Sequence, residues 1–272
     1  MQFRYLLFFI LAFNILENQA QHSVFVNSQN SRSRGMSQTG ITSVNPYGFN
    51  NNPAHLALLH KKGADLQYRS YFLVDQLHFG SISAYYKTSQ KDGFGASILY
   101  DGSTDLNDLL IGFSYGRKLS GSSIVGLGLH YLNQHLPEHG NSWAVIPEIG
   151  IQSMLFSKLT IATVIKNPIP IQSPKLKSFP SVFKVGMMYE ISPQLNILTE
   201  AHKINQLPIT GHFGLEYRPN HDLFIRAGFR NNGQYSFGLG YILRSKINLD
   251  ASMEVHPVLG ISPGIGIHFN SL

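Results

Sequence analysis

The sequence predicts an all-β fold: a transmembrane antiparallel β-barrel of about 14 strands, with an N-terminal hatch or plug segment. Three observations predict it. Stretches of about nine to eleven residues, the length of a tilted membrane-crossing strand, alternate apolar and polar side chains. The apolar face of each stretch carries large aromatic and aliphatic residues, whereas the other carries Gly, Ser and isolated charges. Only 13% of the 272 residues are charged and 12% are aromatic, yet the mean hydropathy is −0.04. A chain with two chemically opposite faces gives that balance.

Residues 1–20 read as a secretory signal peptide. Arg4 supplies the positive start, Tyr5 to Leu16 an apolar core broken only by Asn14, and Ala20 a small residue at the cleavage point. The apolar run falls short of the ~20 residues of a spanning helix. Removal of Arg4 and Glu17 together leaves the net charge at +6.

Residues 21–60 form the second segment. It is rich in Gly, Asn, Ser and Thr, carries two Asn-Pro pairs, and has no charge between Arg34 and Lys61. Such a stretch is too polar for lipid. Its small polar side chains can satisfy an irregular backbone locally, so it is expected to sit as a hatch inside the barrel.

Residues 61–272 carry the strands. In 235–241, Tyr235, Phe237, Leu239 and Tyr241 share one face, and Ser236, Gly238 and Gly240 the other. In 213–217, Phe213, Leu215 and Tyr217 oppose Gly214 and Glu216; in 247–255, Ile247, Leu249, Ala251, Met253 and Val255 oppose Asn248, Asp250, Ser252 and Glu254. Strand starts are expected near Gly63, Phe79, Gly93, Leu109, Ile124, Trp143, Leu159, Val182, Leu195, Gly211, Leu223, Tyr235, Ile247 and Gly264. Short connections with turn chemistry, such as 89–93, 218–222 and 231–233, imply antiparallel neighbours. A soluble sandwich would point its large apolar side chains inward from shorter strands. In lipid the large faces point outward, and closure leaves no unpaired edge.

The segments 31–44 and 51–59, with 164–168, 213–230 and 237–269, resemble the long-chain fatty-acid transporter (FadL-like) outer-membrane proteins. They resemble more closely the PorV/PorQ-like relatives of the type IX secretion system. The N-terminal motif is carried by Arg34, Gly35, Met36, Asn52, Pro53, Ala54 and Leu56. The resemblance implies a fourteen-stranded barrel with an N-terminal hatch, in the outer membrane of a Gram-negative bacterium of the Bacteroidota type. The transporters of this type carry large extracellular loops that build a hydrophobic capture site. Here the longest connections expected are 133–142 and 167–180. The leading expectation is therefore a non-enzymatic accessory or docking component in protein secretion or surface assembly. A small FadL-like channel for hydrophobic solutes is the first alternative, and a surface lipid hydrolase the second.

No nucleotide-binding loop, His-Glu-x-x-His or cysteine pattern is present, and no cofactor, metal or catalytic group is implied. His55, His130, His202, His212 and His268 are expected to point inward. On the inner wall Glu216 lies one strand from Arg226 and Arg230, with Asp250 and Glu254 two strands further on; these five are the interior ion-pair candidates, with Arg32 or Arg34 as partners from the hatch. Glu148, Lys184 and Glu200 also fall on inner faces. The expected partners are outer-membrane lipid and lipopolysaccharide, and a secretion-system protein reached through the exposed aromatic flank or the basic connection 173–180. Nucleic acid is not among them.

Overall fold

The computed structural model describes residues 28–43, 48–59, 61–137, 140–169, 171–172, 179–205 and 207–271. The signal peptide expected over 1–20 lies outside the described residues, as does 173–178 of the basic connection.

Among the described residues, fifteen strands form one antiparallel sheet. They are β1 (Lys62–Ser70), β2 (His78–Lys87), β3 (Asp92–Gly102), β4 (Asn107–Lys118), β5 (Ser123–Leu136), β6 (Gly140–Phe156), β7 (Leu159–Lys166), β8 (Ile171–Gln172), β9 (Val182–Ser192), β10 (Leu195–Ile204), β11 (Thr210–Tyr217), β12 (Leu223–Arg230), β13 (Gln234–Leu243), β14 (Ile247–His256) and β15 (Gly260–Ser271). Neighbours in sequence pair, and β1 pairs with β15 from Lys62↔Ser271 to Arg69↔Gly264. The two-residue β8 only adds a pair to β6, at Ala144↔Gln172 and Val145↔Ile171. Fourteen strands therefore close the barrel.

Burial alternates along the strands with period two. Ile82, Phe113, Leu127, Ile151, Phe237 and Leu239 stand outward, and Phe113 and Leu239 are 66% and 57% exposed. Ser81, Ser97, Ser114, Ser236 and Ser252 point inward and are buried. No helix among the described residues is long and apolar enough to cross a membrane; the strands do the crossing.

Side chains build several of the turns. Ser89 Oγ accepts from the backbone N–H groups of Lys91 and Asp92, and Asn220 Oδ1 from those of Asp222 and Leu223. The β13–β14 turn has positive φ at Arg244 (50°) and Ser245 (58°), as the type I′ hairpin turn requires.

Two connections differ from expectation. Residues 133–142 are mostly not a loop: β5 runs to Leu136 and β6 begins at Gly140, paired from Leu136↔Gly140 onward. Its Asn and Gln residues alternate on extended strands beyond the apolar band, a polar composition that reads as a loop in sequence alone. Strand β15 begins at Gly260, four residues before the expected start, because Ile261, Ser262 and Pro263 continue the alternation opposite β14.

Candidate functional site

The described N-terminal residues lie inside the barrel, buried almost throughout. Asn30 caps a one-turn helix, α1 (Ser31–Arg34), its Oδ1 accepting from Ser33 N–H at 2.9 Å. Asn52 caps the short 3₁₀ helix Pro53–Ala57 in the same way, through Ala54 N–H at 3.0 Å. Pro53 stands in its first turn, where its missing N–H costs nothing. Buried backbone must be satisfied, and these Asn residues do so locally.

The barrel wall receives this segment on glycines. Gly35 packs on Gly238: a Cβ built on Gly35 would stand 2.8 Å from the Gly238 Cα. Met36 is fully buried against Gly214 and Gly228. Pro53 and Ala54 lie on Gly126, Asn52 on Gly150, and Leu56 on Gly93. The inward glycines of the alternating strands are thus contact points for the N-terminal motif.

Charge fastens the segment to the β11–β14 wall. Arg226 Nε donates to Glu216 Oε2 at 2.7 Å, and its Nη1 to Asp250 Oδ1 at 2.6 Å. Arg32 donates to both Glu216 oxygens, at 2.8 and 2.5 Å. Arg34 is ion-paired with Glu254, whose other oxygen accepts from Gln38 Nε2 at 2.9 Å. Arg230 lies 3.9 Å from Glu254 rather than beside Glu216, because the register sets Arg226 opposite Glu216 and Arg230 opposite His212. Further round the wall, Glu200 Oε1 accepts from the backbone N–H groups of Gly40 and Ile41 at 2.5 and 2.9 Å. His202 hydrogen-bonds Glu200, His212 bonds the Ser37 carbonyl, and the two imidazoles stack at 3.8 Å. His55, His130 and His268 are also buried.

Sequence reasoning missed two features of this interior. Arg69 is buried against Tyr71, whose hydroxyl donates to Asp101 Oδ2 at 2.9 Å. The second is an apolar layer. Leu99, Leu110, Leu132 and Ala144 face inward on one rung across β3 to β6, each opposite the next. Phe79, Tyr71, Ile146, Phe179 and Val182 complete a buried cluster with them. It sits at the far end, where β1 hands over to β2, and the N-terminal segment lies between it and the near end. The expectation of an inner face of Gly, Ser and isolated charges does not hold at this end of the barrel. The signal was a break in alternation: Ile98-Leu99-Tyr100 and Leu109-Leu110-Ile111 are apolar on both faces.

No protein-family model matches the sequence, and no curated protein does. Solved structures do match. The chain aligns with the toluene transporter TbuX of Ralstonia pickettii at a TM-score of 0.69 and 14% identity, covering 90% of this chain and 98% of that one. It aligns with the toluene transporter TodX of Pseudomonas putida at 0.64 and 10% identity, covering 88% and 96%. A Pseudomonas aeruginosa FadL homologue gives 0.63 and 14%, covering 89% and 96%. The chain has a FadL-like barrel fold. At these identities the likeness concerns the fold, and the interior of this chain has to be read from its own residues.

Proposed function

We propose that the protein is a small outer-membrane channel for hydrophobic solutes, with the N-terminal segment as its hatch. The single observation that carries this reading is the apolar layer inside the far end of the barrel. An inward face that needed only to be filled could use Gly and Ser, as it does elsewhere. Leu99, Leu110, Leu132, Phe79 and Ile146 instead form a packed apolar cluster inside the barrel, and apolar side chains in the lumen suit the passage of a hydrophobic solute rather than a polar one. The likeness to toluene-transporter barrels supports the same reading. Non-enzymatic action fits it, as does a Gram-negative outer membrane whose lipid covers the aromatic outer face.

A docking role in secretion, and with it the type IX relation, now has the weaker support. It was drawn from the shortage of loop material for a capture site. Strand residues place apolar side chains inside the barrel, so apolar contacts for a solute need not come from long loops.

Uptake is the test. The protein would be displayed in a bacterial host lacking its own outer-membrane transporter for hydrophobic solutes, and entry of labelled toluene and oleate measured at matched surface expression. Faster entry of either solute than with an empty vector supports the channel. Rates equal to the vector for both would overturn it and return the docking role to first place.

A further inference from the structure

The near end of the barrel, where β1 begins and β15 ends, gathers cations on one wall. Lys61 and Lys62 enter β1, Lys87 ends β2, Lys91 stands in the β2–β3 turn, and Arg117 and Lys118 end β4. The backbone sets them side by side. Lys87 N–H donates to the Lys61 carbonyl at 2.7 Å, and Lys118 N–H to the Lys91 carbonyl at 2.8 Å. Asp92, the carboxylate on this stretch, accepts from the Tyr115 hydroxyl at 2.6 Å and lies 3.4 Å from Arg117. Among the described residues, none of the five lysines is in an ion pair. We propose that this patch binds the headgroup phosphate of an anionic phospholipid in the periplasmic leaflet of the outer membrane. The inference does not depend on the channel reading above.

Aromatic residues put the patch at headgroup level. Lys62 stands opposite Tyr86, Tyr86 opposite Phe94, and Phe94 opposite Tyr115, all on one rung of the outer wall. Tyr86 and Phe94 are exposed, and the Phe94 and Tyr115 rings lie 5.0 Å apart. Such aromatic girdles mark the boundary between hydrocarbon and headgroups. Lys62 is on that rung, and the other five cations follow it within a few residues on the water side. Lys62 and Arg117 continue the outward faces of Leu66 and Phe113, so they face the membrane surface. A periplasmic protein reaching the lumen would instead be met by cations turned to the barrel mouth.

Topology and charge select the leaflet and the lipid. Barrels of this kind turn briefly on the periplasmic side and carry their longer loops outside. The near-end turns include 88–91, 119–122, 157–158 and 193–194, whereas the longer connections 71–77 and 167–181 leave the far end. The leaflet at the near end is therefore the phospholipid one, and lipopolysaccharide lies across the membrane. The far-end connections 71–77, 103–106, 231–233 and 257–259 carry Asp75 and Asp105 and no Lys or Arg, so a basic surface is not a general property of the turns. Like charges on neighbouring strands repel, and a phosphate between them offsets that repulsion. Lysine stems lie along the apolar wall while their ammonium groups reach the headgroups.

Electron paramagnetic resonance of the full-length protein in phosphatidylcholine vesicles tests this. The probes are spin-labelled phosphatidylglycerol and spin-labelled phosphatidylcholine, and the immobilised fraction of each spectrum reports association with the barrel. Wild type is expected to prefer phosphatidylglycerol about fivefold at low salt, and to lose most of that preference at high salt. Lys62→Gln, Lys87→Gln, Lys91→Gln and Lys118→Gln combined should leave a preference of less than about 1.5-fold. Lys158→Gln with Arg218→Gln, at the same end on other strands, should keep it. A second measurement retains every lysine. The chain has no cysteine, so Gln90→Cys and Asn232→Cys can each carry an acceptor dye at one end of the barrel. Energy transfer from fluorescent phosphatidylglycerol should exceed that from phosphatidylcholine at 90 and equal it at 232. No preference in wild type, or a preference that survives in the fourfold variant and is equal at both ends, would overturn the site. Loss of the preference to inorganic phosphate at matched ionic strength would assign the patch to free phosphate and overturn the lipid.

Discussion

Arg226 stands directly opposite Glu216 across β12 and β11, and its Nε reaches Glu216 Oε2 at 2.7 Å. The same guanidinium holds Asp250, and Glu216 also holds Arg32 from the N-terminal segment. Two carboxylates and two guanidiniums thus form one chain from the barrel wall to the N-terminal segment. In an interior that screens charge poorly, removing one member strands the others.

Glu216→Gln and Arg226→Gln are therefore expected to be non-additive. A double-mutant cycle, read by urea unfolding from lipid vesicles, should give a coupling of roughly 0.5–3 kcal/mol. Pairing Glu216→Gln with Arg230→Gln should give much less, because Arg230 is directed to Glu254. Equal coupling in both cycles would show that the measured term is long-range charge and not the contact.

The backbone contact between Gly35 and Gly238 should be intolerant of side chains. A Cβ on Gly238 would stand 2.9 Å from the Gly35 Cα. Gly238→Val is expected to lift the N-terminal segment from the wall, at a cost of about 1–3 kcal/mol for overpacking. Single-channel conductance in planar bilayers should rise, as it should on deletion of 28–43. Unchanged conductance in both would remove the hatch role from this segment.

Leu239 and Gly238 are adjacent in sequence and opposite in environment. Leu239→Arg should cost about 2–4 kcal/mol in bilayer unfolding if it lies near the midplane. Thr199→Arg, on the outer face of β10, should also be unfavourable, whereas Gln234→Arg at the strand end should be nearly neutral. A spin label at 239 that proved water-accessible would contradict the register.

The apolar layer should be sensitive to charge in uptake more than in assembly. Leu132→Asp places a carboxylate among Leu99, Leu110 and Ala144. With surface expression matched, entry of labelled toluene is expected to fall at least tenfold. Leu132→Met, which conserves volume and polarity, should retain it. Loss in both variants would point to a packing defect instead.

The β13–β14 turn can be improved. Arg244 and Ser245 occupy positive φ without being Gly or Asn, a conformation that costs most residues about 1–2 kcal/mol each. Arg244→Asn with Ser245→Gly should raise stability by roughly 1 kcal/mol, net of the added freedom of the unfolded chain. Urea midpoints would measure it.

Much of the architecture was legible because a membrane strand states its own geometry. Side chains alternate with period two and meet two different solvents, so Phe237, Gly238 and Leu239 report their faces one by one. Twelve of the fourteen barrel-strand starts fall within two residues of the positions read from the alternation. Strands β6 and β15 start three and four residues earlier, where polar residues or Pro263 hide the strand.

The interior was legible only in part. The sequence placed Glu216 and Arg226 on one inner face, since both lie on polar positions of adjacent strands. It could not choose between Arg226 and Arg230, which share that face; the choice rests on the β11–β12 register. Nor could it show that Gly35 rests on Gly238, or that Leu99, Leu110 and Leu132 meet on one rung. The sequence by itself determined the strands, their faces and their closure, because those follow from local alternation and from the rule that backbone polar groups in lipid must be paired. Which inward residues meet was decided only by the tertiary structure, because contact across a barrel depends on register and on where the N-terminal chain crosses the lumen. Neither is written in any single segment.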